Sequence, residues 1–217
     1  MRLRKVQGAD ERIDASASVV HTPEEYIGKW SRGVFGNDRP VEVEIGCGKG
    51  MFLTEMARLH SEVNYLGIEK FSSVLVRAVE KADLEPLPNL RFLRFDAAGI
   101  LGLFAPGEVA GIYLNFSDPW PKARHAKKRL THREFLLKYE TVLAPGGLLI
   151  QKTDNEGLFD FSLEELQASG WEILAEIRDL HKSPLAEGNV MTEFERKFTT
   201  LGKPVFKLVA KPKGIVV

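Results

Sequence analysis

Short apolar stretches alternate with longer helical patterns along almost the whole chain after residue 40. Strands are predicted at Val41–Ile45, Asn64–Glu69, Leu90–Phe95, Gly111–Asn115, Leu148–Thr153, Glu172–Ile177 and Val205–Ala210. Helices are predicted near Met51–His60, Ser72–Leu84, Thr131–Leu143 and Leu158–Ala168. Because this alternation is typical of βαβ units, we expect an α/β fold with a mostly parallel, seven-stranded sheet and helices on both faces. The last two strands are spaced for a hairpin-like pairing, which favours an antiparallel edge strand.

The residues before the first strand form a lead-in with one predicted short helix. That helix begins at Thr22, which is suited to capping it, and Pro23 is favourable in the first turn. No repeat and no low-complexity linker divides the 217 residues. The predicted organisation is therefore a lead-in, residues 1–40, followed by a single domain, residues 41–217.

Composition excludes several classes of function. The 30 Lys and Arg residues balance 30 Asp and Glu residues, so a nucleic-acid partner would need a local basic patch. A single cysteine, Cys47, excludes an internal disulfide, and the five scattered histidines lack zinc-binding spacing, so no metal is expected. No apolar run is long enough to cross a membrane, and no secretory signal follows the basic N-terminus. These features predict a cytoplasmic protein without a membrane partner.

A glycine-rich loop follows the first predicted strand. Gly46, Gly48 and Gly50 allow a tight turn and let a ligand approach the backbone closely. Met51 stands where a dinucleotide fingerprint requires its third glycine, which makes a nicotinamide dehydrogenase the weakest alternative. Glu44, just before the loop, would repel a pyrophosphate and favours a cationic ligand without phosphate. S-adenosylmethionine is a ligand of this kind.

Two further carboxylates end the next two predicted strands. Glu69 lies where nucleotide-binding sheets present an acid to ribose hydroxyls, and Asp96 is placed to reach the adenine amino group. Each of these acids alone would be interpreted as a solvated carboxylate or a helix cap. Together with Glu44 they predict a ligand site at the carboxyl ends of the strands.

The segment after the fourth predicted strand combines a fixed acid with a basic run. Pro119 and Pro121 restrict the loop that carries Asp118. The basic run that follows contains Lys122, Arg124, His125, Lys127, Lys128 and Arg129, and no acid occurs between Asp118 and Glu134. A charge run is usually a solvated face, but beside a ligand site and Trp120 it predicts a loop that contacts phosphates.

Six motifs together resemble the bacterial tRNA (guanine-N7-)-methyltransferase family, in the order that the family has them. They are Glu44–Gly50, Gly67–Glu69, Asn115–Lys122, Arg124–Arg129, Lys152–Asn155 and Thr192–Glu195. The resemblance implies a Rossmann-like class I methyltransferase domain. It also implies a tRNA-modifying enzyme that uses S-adenosylmethionine to methylate N7 of a guanine in the tRNA variable loop, at position 46.

The resemblance also implies roles for individual residues. Glu44, Glu69, Asp96 and Asp118 would contact S-adenosylmethionine, and Asp118 would also be catalytic. The residues implied to bind RNA are Arg124, His125, Ala126, Lys127, Lys128 and Arg129. The residues implied to bind the substrate are Lys122, Asp154, Thr192, Glu193, Phe194 and Glu195. From the residues alone, Asp154 is as well explained as a helix cap, and 192–195 as an irregular surface stretch.

Two other classes of protein share part of this pattern. A small-molecule or protein methyltransferase would have the glycine loop and Glu69 but no use for the basic run. A non-catalytic tRNA-binding module would keep the basic run without needing acids at the strand ends. The sequence leaves open whether the protein is a monomer or a homodimer.

Overall fold

The computed structural model describes residues 6–213, and the outermost residues of the predicted lead-in and domain (1–5 and 214–217) lie outside them. One seven-stranded sheet has the order β3-β2-β1-β4-β5-β7-β6. Its strands are β1 (Val41–Ile45), β2 (Asn64–Glu69), β3 (Leu90–Arg94), β4 (Val109–Asn115), β5 (Leu143–Thr153), β6 (Glu172–Ile177) and β7 (Phe206–Lys211). The first five strands pair in parallel, while β7 is antiparallel to both β5 and β6. The predicted fold class is therefore confirmed.

Seven α-helices accompany the sheet among the described residues. They are α1 (Ala9–Asp14), α2 (Trp30–Phe35), α3 (Met51–Leu59), α4 (Ser72–Leu84), α5 (Arg133–Val142), α6 (Glu156–Ala168) and α7 (Glu193–Thr200). Short 3-10 helices occupy Pro23–Tyr26, Ala97–Gly102, Ala123–Lys128, Leu180–Lys182 and Pro184–Ala186. The four helices predicted after residue 40 are confirmed with small shifts at their ends. The helix predicted in the lead-in is a single 3-10 turn, and the Thr22 side chain does not cap it.

The helices cover both faces of the sheet, as predicted. One core cluster joins the sheet to α2, α5 and α6 through residues such as Leu136 and Phe159. The other joins it to α1, α3 and α4 through residues such as Leu53, Leu75 and Phe92. Both sides of the central parallel strands are consequently buried, as parallel sheets require.

The lead-in packs into the same core as the sheet. Helix α1 lies against α4, and Val19 forms a parallel bridge with Phe92 of β3. Trp30 is completely buried, and its indole N–H donates to the Leu103 carbonyl at 2.7 Å. Glu108, just before β4, accepts from the backbone N–H groups of Gly28 and Trp30. The lead-in therefore contributes to the stability of the sheet, and a domain boundary at residue 41 stays a proposal.

Replacing Trp30 with alanine tests this contribution. Trp30→Ala is expected to lower the free energy of unfolding by about 3–5 kcal/mol, because a large buried side chain and its hydrogen bond are removed. Urea denaturation at equilibrium measures the change. Leu84→Ala is the control, since Leu84 is 87% exposed, and its effect is expected to stay within about 0.5 kcal/mol. Equal effects of the two substitutions would contradict a packed lead-in.

Candidate functional site

The carboxyl ends of the parallel strands form one edge of the sheet, called here the carboxyl edge. β1 lies between β2 and β4, so the chain leaves β1 toward one side and later returns to its other side. Open α/β sheets bind ligands in the crevice at such a reversal. Glu44 near the end of β1, Glu69 at the end of β2 and Asn115 at the end of β4 all lie at this place.

The glycine loop between β1 and α3 adopts a conformation that favours glycine. Gly46, Gly48 and Gly50 have φ angles of 77°, 60° and 71°. At Gly50 a Cβ atom would lie 2.8 Å from the Ala78 Cβ and 2.9 Å from the Phe92 ring, so this glycine lets α3 pack closely. A Cβ atom at Gly46 would meet no atom within 4 Å. The first glycine thus leaves the backbone open to a ligand, while the third serves packing.

Glu44 is a buried carboxylate with one free oxygen. Its side chain is 2% exposed, and Oε1 accepts a hydrogen bond from the Asn115 amide at 2.8 Å. Oε2 is buried without a hydrogen-bond partner among the described residues. Loss of hydration raises the pKa of Glu44 to about 7, although the Asn115 hydrogen bond and the charge of Lys152 oppose the shift. Such an acceptor suits a cationic donor group supplied by a ligand.

Glu69 is held by the backbone next to Glu44. Its Oε1 accepts from the Phe71 N–H at 2.9 Å, and its Oε2 accepts from the Gly48 N–H at 3.3 Å. Burial raises the pKa of Glu69, and the negative charge of Asp118 adds to this shift. The structure therefore brings Glu44, Glu69 and Asp118 to the same edge.

Asp118 is exposed on a strained loop, residues 116–121, called here the Asp118 loop. Phe116 and Trp120 have φ angles of 52° and 42°. This left-handed conformation is unfavourable for residues other than glycine and persists only where contacts hold the backbone. The Phe116 N–H donates to the Lys152 carbonyl at 2.8 Å. The Arg129 guanidinium donates to the carbonyls of Pro119 and Trp120, both at 3.1 Å. These contacts fix the loop on either side of Asp118.

Asp96 is used differently from the other acids. It follows β3, which β2 separates from β1. Its Oδ1 caps the Ala98 N–H at 3.0 Å, and its Oδ2 lies 2.5 Å from the Lys70 ammonium. The hydrogen bond from Lys70 lowers the pKa of Asp96. The structure thus gives Asp96 local partners, and its contact with an adenine stays a prediction.

The basic run, residues 122–129, forms a 3-10 helix beside the Asp118 loop. Lys122, Arg124, Lys127 and Lys128 are exposed, whereas His125, Ala126 and Arg129 are half-buried. The Lys128 ammonium lies 4.6 Å from the centre of the Trp120 ring, which the His125 ring also contacts by its edge. Lys127 pairs with Glu134 at 2.7 Å and is still 74% exposed. Arg129 points inward to hold the loop, so the run combines an exposed cationic face with one structural arginine.

Residues 192–195 are not the irregular stretch that the sequence suggested. Thr192 caps α7, and its hydroxyl and the Glu195 carboxylate form a reciprocal capping box. The Thr-x-x-Glu spacing is the sequence signal that would have found this helix. Glu193 and Phe194 are exposed, whereas Thr192 and Glu195 are buried.

Helix α7 reaches both the glycine loop and the Asp118 loop. The Glu193 carboxylate lies 2.7 Å from the Lys49 ammonium. The Phe194 ring stacks on the Phe116 ring with 6.3 Å between centres. The exposed part of α7 therefore borders the carboxyl edge, where substrate residues were expected.

Asp154 is half-buried directly after β5, at the same edge. The side chain of Asn155, and not that of Asp154, caps α6 by accepting from the Leu158 N–H at 2.8 Å. The helix-cap explanation of Asp154 is therefore wrong, and its binding to the substrate stays a prediction.

Neither a metal cluster nor a membrane span occurs in the described part of the chain. Within residues 6–213, no group of three His, Cys, Asp or Glu side chains is placed to hold a metal ion. None of the helices described there has the length and hydrophobicity to cross a membrane.

Known proteins resemble this chain both in sequence and in fold. A family model described as "Putative methyltransferase" matches residues 38–208. The tRNA (guanine-N(7)-)-methyltransferase of Lachnoclostridium phytofermentans is 53% identical over 97% of this chain and 98% of its own length. The enzyme of the same name from Bacillus subtilis is 47% identical over 95% and 97%. A SAM dependent methyltransferase from Aquifex aeolicus shares the fold with a TM-score of 0.56, at 14% identity, over 95% of this chain and 98% of its own.

The raised pKa of Glu44 predicts how binding of S-adenosylmethionine depends on pH. Below about pH 7 the carboxyl group of the free protein is increasingly protonated and loses its attraction for an ammonium group. The dissociation constant is therefore expected to rise as the pH falls from 7 to 5.5, by at most about tenfold per pH unit. Calorimetry at several pH values measures it.

Glu44→Gln is the control for this titration. Glutamine keeps an acceptor for Asn115 but carries no charge at any pH. The variant is expected to bind more weakly at pH 7 and to lose most of the pH dependence. The same slope in both proteins would assign the titration to another group, such as Glu69.

Proposed function

The chain belongs to the bacterial tRNA (guanine-N7-)-methyltransferase family, and we propose from this membership that it transfers the methyl group of S-adenosylmethionine to N7 of a guanine in tRNA. The observation that carries the proposal is the meeting of Glu44, Glu69 and Asp118 beside an exposed basic helix at the carboxyl edge. The guanine is proposed to be position 46 of the variable loop, as the motifs imply. The protein is proposed to act in the cytoplasm.

The residues at the carboxyl edge fit S-adenosylmethionine. The free, buried Oε2 of Glu44 is an acceptor for the ammonium group of the methionine part. The remaining lone pairs of Glu69 are acceptors for the ribose hydroxyls. Gly46 leaves room for the ligand at the backbone. When bound, this cofactor supplies a methyl group on a sulfonium, which is electrophilic.

The chain contributes alignment and charge to the reaction. N7 of guanine has an in-plane lone pair at neutral pH, so no residue has to remove a proton from the nucleophile. Positive charge develops on the purine as the methyl group moves to N7. The Asp118 carboxylate, held by the strained loop, places negative charge beside that ring and so stabilises the transition state. The exposed part of α7 helps to align N7 with the methyl group.

Asp118 also gives a physical basis for choosing guanine. One carboxylate is able to accept hydrogen bonds from both the N1–H and the exocyclic amine of guanine. Adenine offers no such pair of donors, so binding adenine would leave the carboxylate unpaired. The basic run would hold the phosphates of the tRNA while the base is presented to Asp118.

Asp118→Asn tests the catalytic role. The substitution removes the charge and keeps the size, so kcat is expected to fall by about 10²–10³-fold, whereas S-adenosylmethionine binding changes much less. The assay is methylation of unmodified tRNA, with the product mapped by mass to N7-methylguanine, and free nucleosides serve as alternative substrates.

Asp38→Asn is the matched control. Asp38 lies just before β1, at the opposite edge of the sheet. Its replacement by asparagine is therefore expected to leave kcat unchanged. Normal turnover by Asp118→Asn would refute the role of Asp118. Absence of N7-methylguanine in tRNA treated with the unaltered protein would refute the proposed function.

The basic run predicts a salt dependence of tRNA binding. Lys127→Glu with Lys128→Glu is expected to weaken binding of tRNA and leave that of S-adenosylmethionine unchanged. The slope of log affinity against log salt, which is negative, should become less negative by roughly 0.7–0.9 for each phosphate that is no longer neutralised. Lys29→Glu with Arg39→Glu makes the same charge change beside the amino ends of β4 and β1. A slope that the two double variants share would contradict the assignment.

A further inference from the structure

One ion pair within residues 6–213 is buried on both sides. The Lys152 ammonium lies 2.7 Å from the Glu195 carboxylate, and the two side chains are 3% and 0% exposed. Lys152 belongs to β5 and Glu195 to the first turn of α7. The pair therefore joins the sheet to the helix that borders the carboxyl edge.

The Lys152 ammonium uses its three donors within the protein. Besides Glu195, it donates to the Val190 carbonyl at 2.8 Å and to the Asn189 Oδ1 at 3.3 Å. The Phe52 ring lies 5.1 Å away. An ammonium has no further hydrogen atoms, so this one has no donor left for a ligand.

The Glu195 carboxylate is equally engaged. Its Oε1 accepts from the Asn189 amide at 2.6 Å and lies 3.2 Å from Nε2 of His181. Its Oε2 accepts from the Lys152 ammonium and from the Thr192 N–H, the latter at 3.3 Å. A carboxylate that is fully buried with both oxygens occupied does not present an acceptor to RNA.

Lys152 also lies next to the Asp118 loop and to Asn115, the hydrogen-bond partner of Glu44. Its backbone carbonyl accepts from the Phe116 N–H at the start of the Asp118 loop. In the β4–β5 register it is opposite Asn115, whose amide binds Glu44. Lys152 thus contacts the Asp118 loop through its backbone and α7 through its side chain. It also pairs in the sheet with Asn115, which binds Glu44.

The pair is better explained by orientation than by stability. The free energy lost when two charges are removed from water is about as large as the free energy gained from their attraction. Apolar residues of similar volume therefore often stabilise the same contact at least as well. What the pair adds is one defined position for an eight-residue helix that is too short to be stable alone. That position sets where Glu193 and Phe194 lie beside the Asp118 loop.

We propose that Lys152 and Glu195 are positioning residues that hold α7 against β5, and that Glu195 acts on tRNA through this placement instead of touching it. The inference rests on the proposed function, because tRNA is the substrate that α7 would meet. It replaces the expectation that Glu195 contacts the substrate directly.

The test compares a single with a double variant. Lys152→Met leaves the buried Glu195 carboxylate without its ammonium partner, so the KM for tRNA is expected to rise by about tenfold or more, with a smaller change in kcat. Lys152→Met with Glu195→Gln removes both charges, and glutamine still serves in a capping box. The double variant is expected to recover most of the tRNA affinity. A direct contact between Glu195 and tRNA predicts the reverse, a double variant at least as impaired as the single one.

Limited trypsin digestion gives a readout that does not need activity. Arg196 and Lys197 are exposed cleavage sites on α7. Cleavage there is expected to be about tenfold faster in Lys152→Met and close to normal in the double variant. Equal protection of α7 in all three proteins would refute the proposal. If Lys152→Met does not fold, Glu195→Gln alone is digested, and unchanged cleavage combined with raised KM would refute it.

Lys211→Met is the matched control. Lys211 lies on β7, next to β5 in the sheet, and pairs with Glu172 at the surface. Surface pairs contribute little, so KM and cleavage are expected to stay near normal. Failure of the unaltered protein to methylate tRNA would count against the proposed function alone, since digestion still tests the pair.

Discussion

The parallel hydrogen-bonding of β1 with β2 and β4 determines where the candidate site of this protein lies. In a parallel sheet all strands end at the same side, so residues far apart in sequence come together without any direct attraction between them. Glu44, Glu69 and Asp118 would repel one another as carboxylates, and the pKa values of Glu44 and Glu69 are raised mainly by burial, with the neighbouring negative charges adding to the shift. The backbone of the sheet therefore holds in place a group of acids that a cationic ligand would stabilise.

The neutral overall composition conceals a strong separation of charge. Glu44 and Glu69 at the carboxyl edge are buried, whereas the lysines of the basic run are exposed to solvent. The interior thus attracts a small cation, and the exterior attracts a polyanion. An enzyme that brings a sulfonium and a nucleic acid together needs this arrangement, because each partner would be repelled by the surface that holds the other.

Most of the sheet and half of the site were predictable, because alternation and strand ends are local signals. β1, β2 and α4 begin and end where the periodicity places them. Helices α1 and α2 were missed because six residues hold too little periodicity. The insertion of β7 between β5 and β6 reverses chain order, which no local pattern records.

In the site, Lys152 was missed as a buried charge, because a lysine within a strand gives no sign of a partner that lies far along the chain. The pairing of Asp96 with Lys70, 26 residues earlier in the chain, was missed for the same reason.

Arg129 gives the basic run two different kinds of cation. Its guanidinium is bound to backbone carbonyls of the Asp118 loop, and it packs 4.3 Å from the centre of the Phe161 ring. The neighbouring lysines are free to leave their contacts, whereas this arginine holds the loop at Pro119 and at Trp120, whose backbone is left-handed. Alanine scanning along the run would consequently produce two different defects: loss of the proposed RNA contacts at the lysines, and release of the Asp118 loop at Arg129.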